Sequence, residues 1–395
     1  MALQNTPSAE KTHIGIFGLR NAGKSSILNA ITNQNISIVS DVLGTTTDPV
    51  RKSMELLPIG PVTFIDTPGI DDDGTLGNMR IAKTKKVLNI IDIAILVLDA
   101  TSKINSQEQE LVDLFIKKKV PYLIVYNKSD LLSSIPTNIK ENELYVSAKT
   151  NLNIEQLKEK IASIAHKKED KKIVTDLVKK DDKVVLVIPI DKGAPKCRII
   201  LPQQLVLREL IDSEAMVIVT NENNISDHLN SLKENPDLVI TDSQLFGKVN
   251  KALDSNILLT SFSILMARYK GNLDTLVKGA SKLDLLQDND TILISEGCTH
   301  HRQCEDIGTV KLPKWIKEYT NKDINFEFTS GTEFPEDLSK YSLIVHCGGC
   351  MINEREMHYR LEQANDAGIP ITNYGMTIAK INGILDRSLE VFNKE

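Results

Sequence analysis

Residues 18–25 read GLRNAGKS, which fits the pattern G-x-x-x-x-G-K-[ST] of a phosphate-binding loop. The segment lies between a predicted strand, THIGIFG at 12–18, and a predicted helix, which is the context that the pattern requires. Glycines allow backbone N–H groups to surround phosphates at the start of a helix. Lys24 adds a positive charge at the β- and γ-phosphates, and the Ser25 hydroxyl can ligate Mg²⁺. The stretch therefore predicts a nucleotide-binding α/β domain.

The apolar runs on either side of this loop predict the rest of the fold. Short Val/Ile/Leu-rich runs alternate with amphipathic stretches as far as residue 165, which is typical of a mainly parallel sheet covered on both faces. The same alternation resumes with KVVLVIPI at 183–190 and again with DTILIS at 290–295. We expect an α/β protein with an N-terminal P-loop domain (1–170) followed by two smaller α/β domains (171–265 and 266–395).

Three further motifs indicate which nucleotide binds. DTPG at 66–69 places Asp66 to hold Mg²⁺ through water and Gly69 to sense the γ-phosphate, while NKSD at 127–130 and SAK at 147–149 follow later strands. This set resembles the GTPase superfamily, in which the Asp of N-K-x-D pairs with guanine, so Asp130 predicts GTP rather than ATP. The expected nucleotide contacts are Gly18, Asn21, Ala22, Gly23, Lys24, Ser25, Ser26, Asn127, Lys128, Asp130, Ser147, Ala148 and Lys149.

The segment GTTTD at 44–48 resembles the switch segment of TrmE–Era GTPases. In that group the second Thr, here Thr46, completes the Mg²⁺ shell, and Thr45 and Thr47 remain alternatives for the same role. The expected catalytic residues are Lys24, Thr46, Asp66 and Gly69.

The residue after DTPG is Ile70, whereas Ras-like proteins use a nearby Gln to orient the attacking water. With no evident general base or arginine finger, intrinsic GTP hydrolysis should be slow. Asn21 occupies the P-loop position at which potassium-activated members of the TrmE–Era group place their K⁺ ligand. We hypothesise that K⁺ held by Asn21 supplies the missing positive charge.

Cysteines and histidines near the C-terminus predict a metal site. Cys298-Thr-His300 comes after the run TILIS with two residues between, and His346-Cys347-Gly-Gly-Cys350 begins at the end of the run SLIVHC. Because ligands collect at the carboxyl ends of parallel strands, the two fragments are expected to converge. Two glycines between Cys347 and Cys350 would let both thiolates face one centre. Zinc in a Cys₃His site and an iron–sulfur cluster are both chemically reasonable, and the spacing does not separate them.

The combination of C-x-H, about 45 residues, H-C-x-x-C and an N-terminal TrmE–Era-like domain resembles the maturation GTPases of iron-only (FeFe) hydrogenases, the HydF family. The resemblance covers the whole chain and implies a GTPase domain, a middle dimerisation domain and a C-terminal domain whose three cysteines hold a 4Fe-4S cluster. It also implies a scaffold that carries a two-iron precursor, built with two radical-SAM enzymes, to the apo-hydrogenase.

Three thiolates for four irons would leave one iron with a replaceable ligand. His300, His346 and Glu305 are candidates for that position, although a supporting role is open for each. Cys304 lies six residues after Cys298, and as a fourth thiolate it would close the site.

Composition restricts the remaining alternatives. The 395 residues carry a net charge of −6, which disfavours broad nucleic-acid binding, and no run is long and apolar enough to span a bilayer. The first eleven residues lack the apolar stretch of a signal peptide, so we expect a cytoplasmic protein. We also expect a homodimer, paired through an exposed strand edge of the middle domain. An RNA-directed TrmE–Era GTPase with a zinc-bound accessory domain, and a redox enzyme regulated by GTP, are the rival interpretations.

Overall fold

The structure is a computed structural model, and it describes residues 7–32, 50–67, 84, 86–165, 171–190, 199–297, 306–331 and 333–393. The chain divides into two compact units, Met1–Glu169 and Asp170–Glu395. Thr46, Gly69, Cys298, His300, Cys304 and Glu305 lie outside the described residues.

The first unit is built on a sheet whose described strands run in the order β2-β3-β1-β4-β5-β6. The strands are β1 (Thr12–Phe17), β2 (Val50–Leu56), β3 (Gly60–Asp66), β4 (Ile93–Asp99), β5 (Tyr122–Asn127) and β6 (Glu143–Tyr145). All neighbouring pairs are parallel except β2 and β3, which run antiparallel. The predicted parallel core is confirmed, but the edge strand β2 was not predicted because VRKSMEL alternates with charged residues.

Helices cover both faces of this sheet. Among the described residues, the helices with defined bounds are α1 (Lys24–Thr32), α2 (Ser106–Lys117) and α3 (Ile154–Ala165). On one face Ile14 and Ile16 pack with Ile27 of α1, and on the other Phe17 packs with Phe115 of α2. Burial of these apolar side chains is the main stabilising contribution to the unit.

The second unit contains two four-stranded parallel sheets among its described residues, ordered β10-β9-β7-β8 and β12-β11-β13-β14. Their strands are β7 (Lys183–Val187), β8 (Met216–Thr220), β9 (Leu238–Thr241), β10 (Leu258–Ser261), β11 (Thr291–Ser295), β12 (Asn325–Thr329), β13 (Leu343–His346) and β14 (Ile371–Asn373). Strands β7, β11 and β13 lie within the apolar runs KVVLVIPI, DTILIS and SLIVHC of the sequence, whereas β14 is only three residues long and was missed.

Helices follow most of the strands of the second unit in the part of the chain that the structure describes. They are α4 (Leu201–Asp212), α5 (Ile225–Ser231), α6 (Phe246–Ala252), α7 (Phe262–Lys270), α8 (Leu273–Ala280), α9 (Leu312–Thr320), α10 (Glu354–Asp366), α11 (Tyr374–Ile381) and α12 (Leu385–Leu389). Short 3₁₀ turns span Ser8–Glu10, Ser129–Leu131, Thr175–Leu177, Ser243–Leu245, Ser281–Leu285 and Glu390–Asn393, and Ile307–Lys311 is a π-helical turn.

One hydrophobic core is shared by the two sheets of the second unit. Val185 and Val239 of the first sheet belong to the same buried cluster as Ile292 and Ile344 of the second. Helix α7 runs across positions 265 and 266, between which the sequence analysis placed a domain boundary. The two sheets are therefore joined by a packed helix and a common core within one compact unit.

Candidate functional site

The phosphate-binding loop connects β1 to α1 and forms one end of a cavity of about 630 Å³, here called the nucleotide cavity. Gly23 has a φ of +93°, and a Cβ there would overlap the Asn127 side chain, so only glycine fits this position. Most of the nucleotide contacts predicted from the sequence line the cavity. The lining residues are Asn21, Gly23, Lys24, Ser25, Ser26, Asn127, Lys128, Asp130, Leu131, Ala148 and Lys149.

Lys24, Ser25 and Asp66 meet at the phosphate end of the cavity. Lys24 Nζ donates to the carbonyl oxygens of Gly18 and Leu19 at 3.0 and 2.8 Å, which holds its ammonium group over the loop. Ser25 Oγ donates to Asp66 Oδ2 at 3.1 Å. The Ser25–Asp66 hydrogen bond connects α1 to the end of β3.

The environment of Asp66 fits a divalent cation. Its Oδ1 atom is buried and has no hydrogen-bond partner among the described residues. Burial raises the pKa of Asp66, while the Ser25 hydrogen bond and the charges of Lys24 and Lys52 oppose the increase. A buried carboxylate oxygen beside a serine hydroxyl offers the hard oxygen ligands that Mg²⁺ prefers.

At the base end of the cavity, three separate motifs are joined by hydrogen bonds. Asn127 Nδ2 donates to the Ala22 carbonyl at 3.1 Å, and Asn127 Oδ1 accepts from the Ala148 backbone N–H at 3.1 Å. The Ser147 hydroxyl donates to Asp130 Oδ1 at 2.6 Å and so orients the carboxylate that is expected to read guanine. The base-reading groups are therefore pre-positioned in the ligand-free chain.

Lys128, in the N-K-x-D motif, has a left-handed backbone conformation with a φ of +64°. Its Nζ donates to Asp99 Oδ2 at 2.7 Å at the end of β4. Burial opposes ionisation of Asp99, but hydrogen bonds from Lys128 and Thr101 outweigh it and lower the pKa of Asp99 to about 2.

The second predicted site lies at the carboxyl ends of β11 and β13, which are parallel neighbours with Ser295 opposite His346. Cys347 Sγ accepts hydrogen bonds from the backbone N–H groups of Gly297, at 3.0 Å, and Gly349, at 3.4 Å. Gly297 immediately precedes Cys298 in the sequence. We call Gly297 and the loop Cys347–Cys350 the thiol site.

The C-x-x-C loop has the curled backbone that its glycines predicted, since Gly349 has a φ of +66°. Cys347 and Cys350 are both free thiols. Burial raises the pKa of Cys347 to about 11, against the Gly297 and Gly349 hydrogen bonds, and burial also raises the pKa of Cys350. Without a metal, both side chains therefore stay neutral near pH 7.

This donor set fits a thiolate-bound metal. A coordinated metal replaces the thiol proton, which removes the cost of a buried thiolate. Backbone N–H groups directed at sulfur are also among the interactions that tune iron–sulfur centres. Within the described ranges no group of three or more His, Cys, Asp or Glu side chains forms a metal site; Cys298, His300 and Glu305 lie outside those ranges.

His346 is fully buried and hydrogen-bonded through both ring nitrogens. Nδ1 lies 2.8 Å from the Cys347 carbonyl oxygen and Nε2 lies 2.9 Å from Nη1 of Arg360. Burial and the Arg360 charge lower the pKa of His346 to about 3, so the ring is neutral, donates from Nδ1 and accepts at Nε2. Ligation of iron by His346 would require one of these hydrogen bonds to break.

Arg360, on α10, is a fully buried residue that the sequence analysis missed. Its guanidinium donates to Ser295 Oγ at 3.2 Å, to the Gly331 carbonyl at 2.7 Å and to Glu356, besides the bond to His346. It therefore connects the ends of β11 and β13 behind the thiol site. The only signal in the sequence was the Glu356–Arg360 spacing of four, which usually marks a solvent-exposed pair.

Comparisons with known proteins divide the chain into three parts. Residues 13–128 match a family described as 50S ribosome-binding GTPase. Residues 173–271 match the hydrogen maturase F dimerization domain, and residues 274–391 match the hydrogen maturase F tetramerization domain.

Individual relatives are similar to the N-terminal part. GTPase Der from Wolinella succinogenes is 34% identical over 177 residues, covering 41% of this chain and 37% of that protein. The tRNA modification GTPase MnmE from Endomicrobium trichonymphae is 37% identical over 165 residues, covering 40% of this chain and 36% of the relative. The chain thus spans little more than a third of these relatives' lengths.

Among solved structures, Era from Aquifex aeolicus is 19% identical with a TM-score of 0.34, covering 53% of this chain and 93% of that one. No helix in the described part of the chain has both the length and the apolarity to cross a membrane.

The two hydrogen maturase F domains follow a GTPase domain whose described motifs converge on one cavity. The chain therefore belongs to the family of HydF-type hydrogenase maturation GTPases.

Proposed function

We propose that this protein hydrolyses GTP to GDP and phosphate and serves as an iron–sulfur scaffold in hydrogenase maturation. It would carry the two-iron precursor of the active site, made with two radical-SAM enzymes, and deliver it to the apo FeFe-hydrogenase. The observation that carries the proposal is the thiol site: Gly297, next to Cys298 in the sequence, donates to the sulfur of Cys347 in a chain that also has a nucleotide cavity.

In the nucleotide cavity, Lys24 would exchange its bonds to the loop carbonyls for phosphate oxygens. Ser25 and Asp66, with Thr46 as a further proposed ligand, would hold Mg²⁺, which neutralises charge developing on the phosphates. Gly69 would sense the γ-phosphate through its backbone. Asp130, oriented by Ser147, would accept the guanine N1–H and amino protons.

Slow turnover stimulated by K⁺ is part of this proposal. Asn21 supports it because it lines the nucleotide cavity and has a left-handed backbone with a φ of +64°. The test compares GTP hydrolysis at equal ionic strength in K⁺ and Na⁺, for the wild type and for Asn21→Ala. Faster hydrolysis in K⁺, lost in Asn21→Ala, is expected; equal wild-type rates in both salts would rule out the potassium site.

For the cluster, Cys298, Cys347 and Cys350 are the proposed thiolate ligands of a 4Fe-4S centre. One iron would keep an exchangeable ligand, the position at which cargo iron can attach. His300, Glu305 and His346 remain candidates for it, whereas ligation by Cys304 would close the site. His346 would first have to give up a hydrogen bond to Cys347 O or to Arg360.

Matches to dimerization and tetramerization domains support oligomerisation. We propose a homodimer paired through β8, an edge strand of its sheet among the described residues, on which Met216 and Val219 are about half exposed. Sedimentation of the wild type and of Val219→Lys tests this. A dimer or tetramer that dissociates on substitution is expected, and an unchanged assembly would exclude the β8 edge.

The function itself is tested by maturation in vitro. Anaerobically reconstituted protein is incubated with the two radical-SAM enzymes and then with apo FeFe-hydrogenase, and hydrogen evolution is measured. We expect activation by the wild type and by the control Cys197→Ala, which alters a cysteine outside both cysteine motifs, and none by Cys347→Ala/Cys350→Ala. Activation by the double variant at the wild-type level would contradict the scaffold role. Dependence on RNA instead of hydrogenase would favour the RNA-directed alternative.

A further inference from the structure

Lys128, the second residue of the N-K-x-D motif, has a backbone conformation that residues with a side chain rarely adopt. Its φ of +64° lies in the left-handed region, where a Cβ atom is sterically disfavoured. The 3₁₀ turn Ser129–Leu131 begins directly after it and contains Asp130. The left-handed residue therefore sets the direction in which Asp130 enters the nucleotide cavity. Such a conformation persists only where the surrounding structure holds it.

The end of β4 supplies contacts that hold Lys128. Strands β4 and β5 are parallel neighbours with Asp99 opposite Asn127, the residue before Lys128. The backbone N–H of Ala100 donates to the Asn127 carbonyl oxygen at 2.8 Å, so the ladder continues up to the motif. The Lys128 ammonium group donates to Asp99 Oδ2 at 2.7 Å. Lys128 is thus attached to β4 through its own side chain and through the backbone of its neighbour.

The carboxylate of Asp99 is itself held in place. Its Oδ1 atom accepts hydrogen bonds from the backbone N–H of Thr101 at 2.9 Å and from the Thr101 hydroxyl at 2.6 Å. This leaves Oδ2 directed at Lys128. Of the two members of the ion pair, Lys128 lines the nucleotide cavity and Asp99 does not. Asp99 is therefore placed to act on a bound nucleotide through the lysine rather than by contact.

We propose that Asp99 is a positioning residue for base recognition, because by holding Lys128 it fixes the left-handed turn that presents Asp130 to guanine. The inference rests on the proposed GTP site and adds a residue outside the N-K-x-D and S-A-K motifs. Without Asp99, the lysine side chain regains rotamer freedom and the turn loses a contact that offsets its strain. Nucleotide binding must then order both again. Ser147 still orients the Asp130 carboxylate, so the loss is partial.

The experiment measures by titration calorimetry the affinities of the full chain for guanosine diphosphate (GDP) and inosine diphosphate (IDP). The two ligands differ only in the exocyclic amino group that Asp130 is proposed to bind, and diphosphates avoid turnover. The proteins compared are the wild type, Asp99→Ala, Lys128→Met and the double variant. Glu155→Gln is the matched control, because Glu155 forms an exposed ion pair with Lys158 at 2.8 Å on α3, outside the cavity lining.

In Asp99→Ala the affinity for GDP should fall about fivefold, and the ratio of GDP to IDP affinity should fall about threefold, because a freed lysine must be ordered again on binding. Glu155→Gln should match the wild type with both ligands. An unchanged GDP affinity in Asp99→Ala would overturn the inference. An equal fall for both diphosphates would also overturn it, since damage at the phosphate end weakens both ligands alike.

A double-mutant cycle tests whether Asp99 acts through Lys128. If it does, Asp99→Ala/Lys128→Met should bind GDP within about twofold of Lys128→Met, because the lysine is already missing. Losses that multiply in the double variant would overturn the inference and leave the assignment of Asp130 intact. Failure of the wild type to bind GDP would instead refute the proposed GTP site. If circular dichroism shows that Asp99→Ala does not fold, Asp99→Asn keeps the side-chain size and replaces it in the same cycle.

Discussion

The nucleotide cavity and the thiol site are prepared for their ligands in different ways. In the nucleotide cavity the base-reading groups are already fixed by hydrogen bonds within the protein, Asn127 to Ala22 and Ala148, and Ser147 to Asp130. In the thiol site the sulfur atoms are buried as neutral thiols, and the charge of Arg360 only partly opposes the effect of burial on the pKa of Cys347. Substitutions in the cavity should therefore change specificity, whereas substitutions around the thiols should change stability and metal chemistry.

The largest effect is expected at Asp130. In Asp130→Asn the guanine N1–H and amino group lose a carboxylate acceptor, so GTP affinity should fall by about 10⁴-fold and xanthosine triphosphate should bind instead. Titration calorimetry with both nucleotides measures this change. Asp113→Asn, an exposed carboxylate on α2, is the control. Undiminished GTP selectivity in Asp130→Asn would refute the assignment of the base site.

The buried ion pair behind the thiol site should dominate stability. Arg360→Met leaves Glu356 buried without its partner, so the free energy of unfolding should fall by about 3–5 kcal/mol. Denaturant unfolding of the metal-free protein checks this. Arg208→Met removes an exposed Arg–Asp pair of the same spacing on α4 and should have little effect.

A double variant makes this test sharper. Arg360→Met/Glu356→Leu removes both charges, so part of the lost stability should return because no unpaired buried charge remains. If the double variant is as unstable as Arg360→Met, the hydrogen bonds to Ser295 and Gly331, rather than the ion pair, carry the stabilisation.

An intermediate effect is expected at Ser147. Ser147→Ala removes the hydroxyl that orients Asp130, a hydrogen bond to a charged group worth about 1.5–3 kcal/mol. GTP affinity should therefore fall by about tenfold or somewhat more, without the switch to xanthosine triphosphate expected for Asp130→Asn. Calorimetry of both variants under identical conditions gives the comparison, and a loss in Ser147→Ala as large as in Asp130→Asn would contradict it.

The smallest effect concerns the pH dependence of stability in the first unit. The pKa of Asp99 is lowered from 3.8 to about 2 in the fold, so its ionised form contributes stability above about pH 4 that is lost as the pH falls toward 2. Because the Asp99–Lys128 pair is about a third exposed, Asp99→Asn should cost only about 0.5–1 kcal/mol at pH 7. The difference from the wild type should shrink between pH 4 and pH 3, and a constant difference would show that the charge is not responsible.

Sequence patterns predicted the parallel core of the fold because apolar strands and glycine-rich loops have local signatures. They missed β2, an antiparallel edge strand in which polar and apolar residues alternate. They also missed β14, because three residues are too few to form a recognisable apolar run. Residues of the P-loop, N-K-x-D and S-A-K motifs line one cavity, since each motif follows the end of a strand.

The supports of the thiol site could not be predicted in the same way. Arg360 stands on a helix at a position that resembles an ordinary surface residue, and only tertiary packing buries it. Likewise, the backbone donors from Gly297 and Gly349 to Cys347 depend on how two strand ends are brought together. Motifs in a sequence can suggest candidate ligands, but the charges around those residues come from the fold.

The central claim is that Cys298, Cys347 and Cys350 hold an iron–sulfur cluster in a GTP-binding chain. Its most direct test is iron, sulfide and zinc analysis of anaerobically reconstituted protein, with EPR of the dithionite-reduced form. We predict about four irons per chain. The EPR signal should be lost in Cys298→Ala, Cys347→Ala and Cys350→Ala and retained in Cys304→Ala. One zinc and no iron after reconstitution would contradict the account.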